Sequence, residues 1–167
     1  METFQLDINA SACSIRSFLA QKGISLTNWR KIKAEGTIMV NGADAPVSQK
    51  LQPGDTVSFS LPVQVSSVLP ENGFIKVVYE DNDLIILDKP ANMLVHPTVK
   101  DDRHTLANYL AGYYLQMNIT AGIHPIFRLD RNTSGLVLFA KKPHVQHQLS
   151  SGSVQKEYLA LLTSTPP

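Results

Sequence analysis

The spacing of hydrophobic positions changes along the chain, and each change predicts a different kind of element. In the first third, apolar residues recur every three or four positions and later sit in short extended runs, which predicts two helices followed by two strands. Gly23 is placed to end the first helix, Thr27 to cap the second, and Asn41-Gly42 to form a tight turn. The predicted elements are a helix carrying Ile15, Phe18 and Leu19, a helix over 28–34, a strand over 37–40, and a turn and strand over 51–59.

A stretch rich in proline and serine, residues 61–70, interrupts this pattern. Proline lacks a backbone donor and biases the residue before it away from helix, so the stretch is predicted to be an extended linker. We place a domain boundary near residue 66, which divides the chain into residues 1–66 and 67–167.

The second part mixes strand and helix patterns. Residues 80–83 separate two β-rich runs, which predicts a hairpin. The run 135–140 is entirely apolar and is expected in the middle of a sheet. Gly112 weakens an otherwise helical pattern. The predicted elements are strands over 75–79 and 84–87, a helix over 104–117, a strand over 135–140, a short helix over 143–149 and a strand around 158–162.

Composition places the chain among globular proteins. Of its 167 residues, 43% are hydrophobic and 17% charged, which excludes the disordered and collagen-like classes. No apolar run approaches the roughly 18 residues of a membrane span, and the N-terminus lacks the basic start and apolar run of a secretory signal. Cys13 is the only cysteine, so we expect no intrachain disulfide or thiolate metal cluster and a reducing, cytoplasmic location.

Charge is distributed unevenly although the formal net charge is only +1. Residues 12–36 hold five cations against Glu35, and residues 71–102 hold seven acids against three lysines. Residues 103–156 hold six cations against a single acid, Asp130. Two basic regions therefore flank an acidic one, and Asp130 is isolated among cations.

The first basic region lies within a recognisable pattern. Residues 14–26, 30–42 and 51–57 resemble, in order and spacing, the small RNA-binding domain named after the fourth small-subunit ribosomal protein. The resemblance implies an RNA partner for this region. Cations on a rigid helix bind phosphates without reading bases. Charge alone favours an ordinary solvated helix face, whereas the matching glycines and the Pro-Gly-Asp turn favour RNA binding. The candidate RNA-binding residues are Arg16, Arg30, Lys31 and Lys33.

The second basic region contains a polar turn, residues 128–135, between apolar segments. It sets the Asp130 carboxylate between the guanidinium groups of Arg128 and Arg131. Adjacent positive charge favours the ionised carboxylate, which suits a nucleophile or an electrostatic partner better than a general acid. An Asp before Asn-Thr-Ser-Gly also commonly caps a turn, so both interpretations stand at this point.

Three runs in this part, residues 79–97, 128–141 and 156–160, are similar to the successive motifs of the RluA-type pseudouridine synthases. The resemblance implies that Asp130 is the catalytic nucleophile, that Arg128 helps to hold a flipped-out nucleotide and that Tyr158 packs against the uracil. His96 belongs to the Val-His-Pro element of the first motif and either supports the site or packs. The reaction remakes a ribose-to-nitrogen bond to carbon without a change in oxidation level, so no cofactor or metal is expected; whether the carboxylate attacks ribose or uracil stays open.

Two departures from the family pattern matter. Phe127 stands where the family usually has histidine, and phenylalanine cannot replace a polar donor. Family catalytic domains also continue, with a further arginine-bearing motif, past the equivalent of Pro167. We therefore expect a fragment or truncated product, whose sheet lacks strands and leaves edges exposed.

These inferences combine into one hypothesis and two rivals. The predicted fold is α+β: a small α/β RNA-binding domain followed by an incomplete mixed, mainly antiparallel sheet with flanking helices. The predicted function is isomerisation of uridine in structured RNA, with ribosomal RNA favoured over transfer RNA and no membrane or metal partner. The rivals are a non-catalytic RNA-binding module and a chain that neither binds nor reacts because its catalytic domain cannot close.

Overall fold

The structure, a computed structural model, describes residues 1–60, 68–98, 103–152 and 154–163. The described helices are Ile15–Gln21 (α1), Leu26–Glu35 (α2), Leu106–Gln116 (α3) and Pro143–Ser150 (α4). The described strands are Glu2–Gln5 (β1), Cys13–Ser14 (β2), Ile38–Val40 (β3), Ala43–Asp44 (β4), Lys50–Leu51 (β5), Thr56–Phe59 (β6), Lys76–Glu80 (β7), Leu84–Lys89 (β8), His124–Pro125 (β9) and Gly135–Ala140 (β10). All strand pairs among the described residues are antiparallel, so the fold is mixed α and β with antiparallel sheets.

Residues 1–60, here called the N-terminal unit, form one sheet in the order β1-β6-β3-β4, a β2-β5 pair and two helices. Its core includes Phe18, Ile32 and Phe59, each almost fully buried. Asn41 and Gly42 both have positive φ, 52° and 83°, which confirms the predicted tight turn between β3 and β4.

One sequence prediction for this unit was wrong, and one strand was missed. The second helix is capped by Ser25, whose hydroxyl accepts from the Asn28 N–H at 3.2 Å, and Thr27 lies inside the helix. Strand β1 was not predicted. The strand was missed because its charged and polar residues obscure the alternation of burial along it. Glu2 and Phe4 are partly buried, and Thr3 and Gln5 are exposed.

Residues 68–98, 103–152 and 154–163, here called the C-terminal unit, form a second sheet in the order β7-β8-β10-β9. Strand β10 lies between β8 and β9, as its apolar sequence predicted, and the 75–87 hairpin is confirmed. Val137 and Phe139 of β10 are buried against α3, whereas Leu136 on the other face is exposed.

Helix α3 begins two residues later than predicted because Thr105 and Asn108 form a reciprocal capping box. Gly112, which weakened the helical pattern, has a packing reason. A Cβ at this position would collide with the Glu71 carbonyl oxygen, so the chain before β7 can lie directly against the helix.

The predicted strand around residues 158–162 was wrong. Residues 154–162 have no regular structure, and Leu159 and Leu161 are fully exposed. Residues with strand propensity need a partner strand, and none of the described strands pairs with this segment. The predicted linker core, 61–67, and the boundary near residue 66 lie outside the described residues. No helix in the described ranges is long and apolar enough to cross a membrane.

Lys89, the last residue of β8, is buried in the C-terminal unit with 0% of its surface exposed. Its ammonium donates to the carbonyl oxygens of Pro90 at 2.8 Å, Met93 at 2.9 Å and Arg131 at 3.1 Å. Burial lowers the pKa of Lys89, and the negative charge of Asp130 opposes part of that shift. One side chain therefore ties the loop after β8 to the turn before β10.

The two units contact each other through the start of β1 and helix α4. Lys142 binds Glu2 of the N-terminal unit at 2.8 Å and Asp83 of the C-terminal unit at 2.7 Å. The ring of Phe4 meets the buried ring of His144 edge-on, with centroids 6.3 Å apart. The Gln148 amide donates to the Lys22 carbonyl at 2.7 Å, so the contact is polar as well as apolar.

We expect Lys89→Met to destabilise the C-terminal unit by more than about 2 kcal/mol, because it leaves three carbonyl oxygens without their donor in a dry site. Lys76→Met is the matched control, since Lys76 is exposed and its ion pair with Asp88 contributes at most about 1 kcal/mol. Urea denaturation followed by circular dichroism measures both. Equal midpoints for the two variants would contradict the assigned role of Lys89.

We also expect the protein to lose stability between pH 7.5 and 5.5. Burial lowers the pKa of His124 and of His144 below the ordinary 6.5, so the unfolded chain takes up protons that the folded chain excludes as the pH falls. His144→Phe keeps the aromatic contact and removes one of these groups, and its unfolding free energy should vary less with pH. His147→Phe, an exposed change on the same helix, should leave the pH dependence as it is; a slope equal in wild type and His144→Phe refutes the expectation.

Candidate functional site

The polar turn predicted to carry chemistry lies at the start of β10, directly above Lys89. Gly135, the first residue of β10, is paired with Lys89 across the sheet and has φ 133°. The Thr133 N–H donates to the Asp130 carbonyl at 3.1 Å, which closes the turn. The Arg131 carbonyl accepts both from Lys89 and from the Met93 N–H at 3.1 Å, so the turn is fixed by its backbone rather than by its side chains.

Asp130 is exposed on this turn. Within the described parts of the chain, its carboxylate takes part in no hydrogen bond or ion pair. Its negative charge raises the pKa of Lys89, against the larger effect of burial. The turn-capping interpretation of Asp130 therefore has no support from its side-chain contacts.

A groove lies beside the turn, with a volume of about 490 Å³. We call it the Arg128 groove. Arg128 and Tyr158 both line it, although 29 residues separate them along the chain. Leu129 and Thr133, close to Asp130 in sequence, also line it, whereas Asp130 itself is not among the lining residues. The groove is lined by 127–129, 133–138 and 154–159.

The far wall of the groove is held by a cation–π contact. The Lys156 ammonium lies over the Phe127 ring, 3.3 Å from its centroid. Phe127 is the residue that departs from the family pattern, and here its ring face contacts the segment that carries Tyr158. Tyr158 remains 65% exposed, with its ring available to a ligand.

His96 lies apart from these residues in the loop after β8. It is half-buried, its Nδ1 is 3.0 Å from the Pro97 carbonyl, and it is not among the residues that line the Arg128 groove. The same loop supplies the Leu94 and Val95 carbonyls that accept from the first N–H groups of α3. His96 therefore belongs to a loop that supports the turn, and its role stays a prediction.

The four candidate RNA-binding cations lie on the helices of the N-terminal unit. Arg16 is on α1, while Arg30, Lys31 and Lys33 are on α2. None of them forms an ion pair with the acids that the structure describes. Lys31 is partly buried and differs from the other three, because it lines a second groove, at the contact between the two units.

The sequence prediction missed two contributors to this site. Lys89 was not among the predicted site residues, although the period of two places it on the inward face of β8 with Ile85 and Leu87. The contact between Phe127 and Lys156 was also missed, because nothing local in the sequence joins residues that far apart. The described ranges contain no cluster of three or more metal-ligating side chains.

Comparison with known proteins places the chain in a family. Residues 83–167 match the family model described as RNA pseudouridylate synthase. The chain is 31% identical to the uncharacterized RNA pseudouridine synthase YlyB of Bacillus subtilis, over 95% of this chain and 57% of that protein. It is 30% identical to the ribosomal large subunit pseudouridine synthase D of Buchnera aphidicola, over 95% of this chain and 55% of the relative.

A third relative is the mitochondrial tRNA pseudouridine(32) synthase of Saccharomyces cerevisiae, 30% identical over 83% of this chain and 29% of that protein. The chain spans about half the length of the two bacterial relatives and less of the yeast one. The family match covers half of the chain, including the turn at Asp130 and the segment at Tyr158. The chain therefore belongs to the RluA-type family of RNA pseudouridine synthases.

Proposed function

We propose that the protein isomerises a uridine in structured RNA to pseudouridine, with Asp130 as the nucleophile. The observation that carries the proposal is the exposed, unengaged Asp130 carboxylate on a turn whose backbone is fixed by the buried Lys89. A nucleophile must be accessible and held in position, and this arrangement provides both without using the carboxylate as a structural group.

The chemistry needs little beyond such a group. The bond from the ribose to a uracil nitrogen is broken and remade to a ring carbon. The hydrogen on that carbon leaves as a proton, and the freed nitrogen takes up a proton. A carboxylate can assist by adding either to the ribose or to the uracil ring, and it is regenerated when the new bond forms. No electrons are gained or lost, so the proposal needs no redox cofactor and no metal.

The Arg128 groove suits an extruded nucleotide. Taking a base out of its stack costs a few kcal/mol, which an aromatic platform and cations on the backbone can offset. Tyr158 offers such a platform, and the guanidinium of Arg128 lies in the same groove without a carboxylate partner among the described residues. We assign the uracil to Tyr158, the neighbouring phosphate to Arg128, and a supporting role to His96.

The N-terminal unit is proposed to bind the RNA. We assign the charge to Arg16, Arg30, Lys31 and Lys33. We also assign to this unit the RNA-binding domain that the sequence resembles, with the boundary predicted near residue 66. Ribosomal RNA is the favoured substrate over transfer RNA, since bacterial relatives are named for the large ribosomal subunit. The lone cysteine suits a cytoplasmic location.

Asp130→Asn keeps the shape of the side chain and removes its nucleophilicity, so we expect at least about a thousandfold loss of turnover. The measurement is tritium release from RNA labelled at uracil C5, using the gene product at its natural length. Asp44→Asn, an exposed change far along the chain from the turn, is the control and should turn over like wild type. Full turnover by Asp130→Asn would remove Asp130 from the mechanism.

Tyr158→Leu should weaken binding of the RNA substrate about tenfold, because it removes an aromatic stacking surface worth about 1–3 kcal/mol. Tyr158→Phe keeps the ring and should bind within about twofold of wild type, and Leu161→Ala, an exposed change outside the Arg128 groove, should do the same. Fluorescence anisotropy with labelled RNA gives the dissociation constants. If Tyr158→Leu and Tyr158→Phe bind alike, the ring does not stack on the substrate.

A further inference from the structure

The second groove lies where the two units meet and has a volume of about 560 Å³. We call it the Lys31 groove. Helix α2 of the N-terminal unit forms one wall, and β9 and α4 of the C-terminal unit form the other. Its lining residues are Ser25, Thr27, Asn28, Lys31, His124, Pro143, Gln146, His147, Ser150 and Ser151.

The chemistry of this lining favours an anion. None of the ten lining residues is acidic, whereas Lys31, His124 and His147 can each donate from nitrogen. Most of the others carry hydroxyl or amide groups. The first turn of α2, a helix of ten residues, also lies in the wall, and its N–H groups add positive potential to the Lys31 charge.

The pKa of His124 also indicates that the electrostatic potential in the Lys31 groove is positive. Burial lowers the pKa of His124, and the positive charge of Lys31 lowers it further. A group in this groove therefore already experiences a cation that no described carboxylate neutralises. An entering phosphate would meet the Lys31 charge on one wall and side chains that can donate hydrogen bonds on the other.

The walls are held in place. The Gln146 amide donates to the Pro125 carbonyl at 2.9 Å, which joins α4 to β9. Gln148, two residues further on, donates to the Lys22 carbonyl of the N-terminal unit, and Gly23 packs against the Gln148 side chain with no room for a Cβ. These contacts fix the positions of the two walls relative to each other.

The position of β9 connects this groove to the proposed active site. His124 lies in the Lys31 groove, and Arg128, four residues later, lies in the Arg128 groove. Four residues span at most about 14 Å, so the two Cα atoms lie within the reach of a few nucleotides. A strand of a few nucleotides is therefore long enough to reach from one groove to the other.

We propose that the Lys31 groove binds the sugar–phosphate backbone of the RNA next to the nucleotide that enters the Arg128 groove. The proposal rests on the proposed function for the identity of that RNA. The proposal gives Lys31 a different role from Arg30 and Lys33. Lys31 binds the backbone together with His147 and His124 of the C-terminal unit. The RNA is then held across the contact between the units rather than by the N-terminal unit alone.

The test measures RNA affinity of the gene product at its natural length, by anisotropy, as a function of salt. Lys31→Gln and His147→Gln should each weaken binding about three- to tenfold, and Lys31→Gln should lower the magnitude of the salt slope by about one. Ser151→Glu, which places a carboxylate in the groove, should weaken binding about tenfold or more.

Matched controls use the same changes outside both grooves. Lys50→Gln and Ser48→Glu alter exposed positions of the N-terminal unit and should change affinity less than twofold. The proposal is overturned if Lys31→Gln binds like Lys50→Gln, or if Ser151→Glu binds like Ser48→Glu. Turnover of Asp130→Asn is measured separately: full turnover there rejects the proposed mechanism, while the affinities alone decide the Lys31 groove.

Discussion

The geometry of the candidate site depends on one buried ammonium group. Lys89 has no exposed surface, and it satisfies three backbone carbonyls that belong to two different loops. A buried charge is tolerated only where such partners surround it, so the loops and the charge hold each other in place. This arrangement holds the turn at Asp130 in position. The Asp130 carboxylate itself makes no structural contact among the described residues.

Local patterns in the sequence were enough for the elements whose residues interact with near neighbours. The Asn41-Gly42 turn, the apolar strand β10 and the hairpin of β7 and β8 each carry their own signal. Strand propensity around residues 158–162 misled the prediction because pairing depends on a partner strand, which a single segment cannot supply. The cap at Ser25 was missed because several hydroxyl residues stand close together there.

The residues of the candidate site were predicted from a family resemblance rather than from local patterns. The resemblance to the family pointed to Asp130, Arg128 and Tyr158, and the structure brings the last two into one groove. No periodicity joins residues so far apart, so spacing alone would not have paired them. Lys89 did carry a signal, since it continues the inward alternation of Ile85 and Leu87, but its burial was not predicted.

Phe127 departs from the family pattern, but its ring makes a contact of its own. A phenyl ring cannot donate a hydrogen bond, so any polar role of the usual histidine is absent at this position. The ring instead receives the Lys156 ammonium on its face, and Lys156 is two residues before Tyr158. The contact restricts a segment that has no regular structure of its own. Part of the ordering entropy of the Tyr158 segment is therefore already lost in the free protein, so under the proposed function less is left to oppose RNA binding.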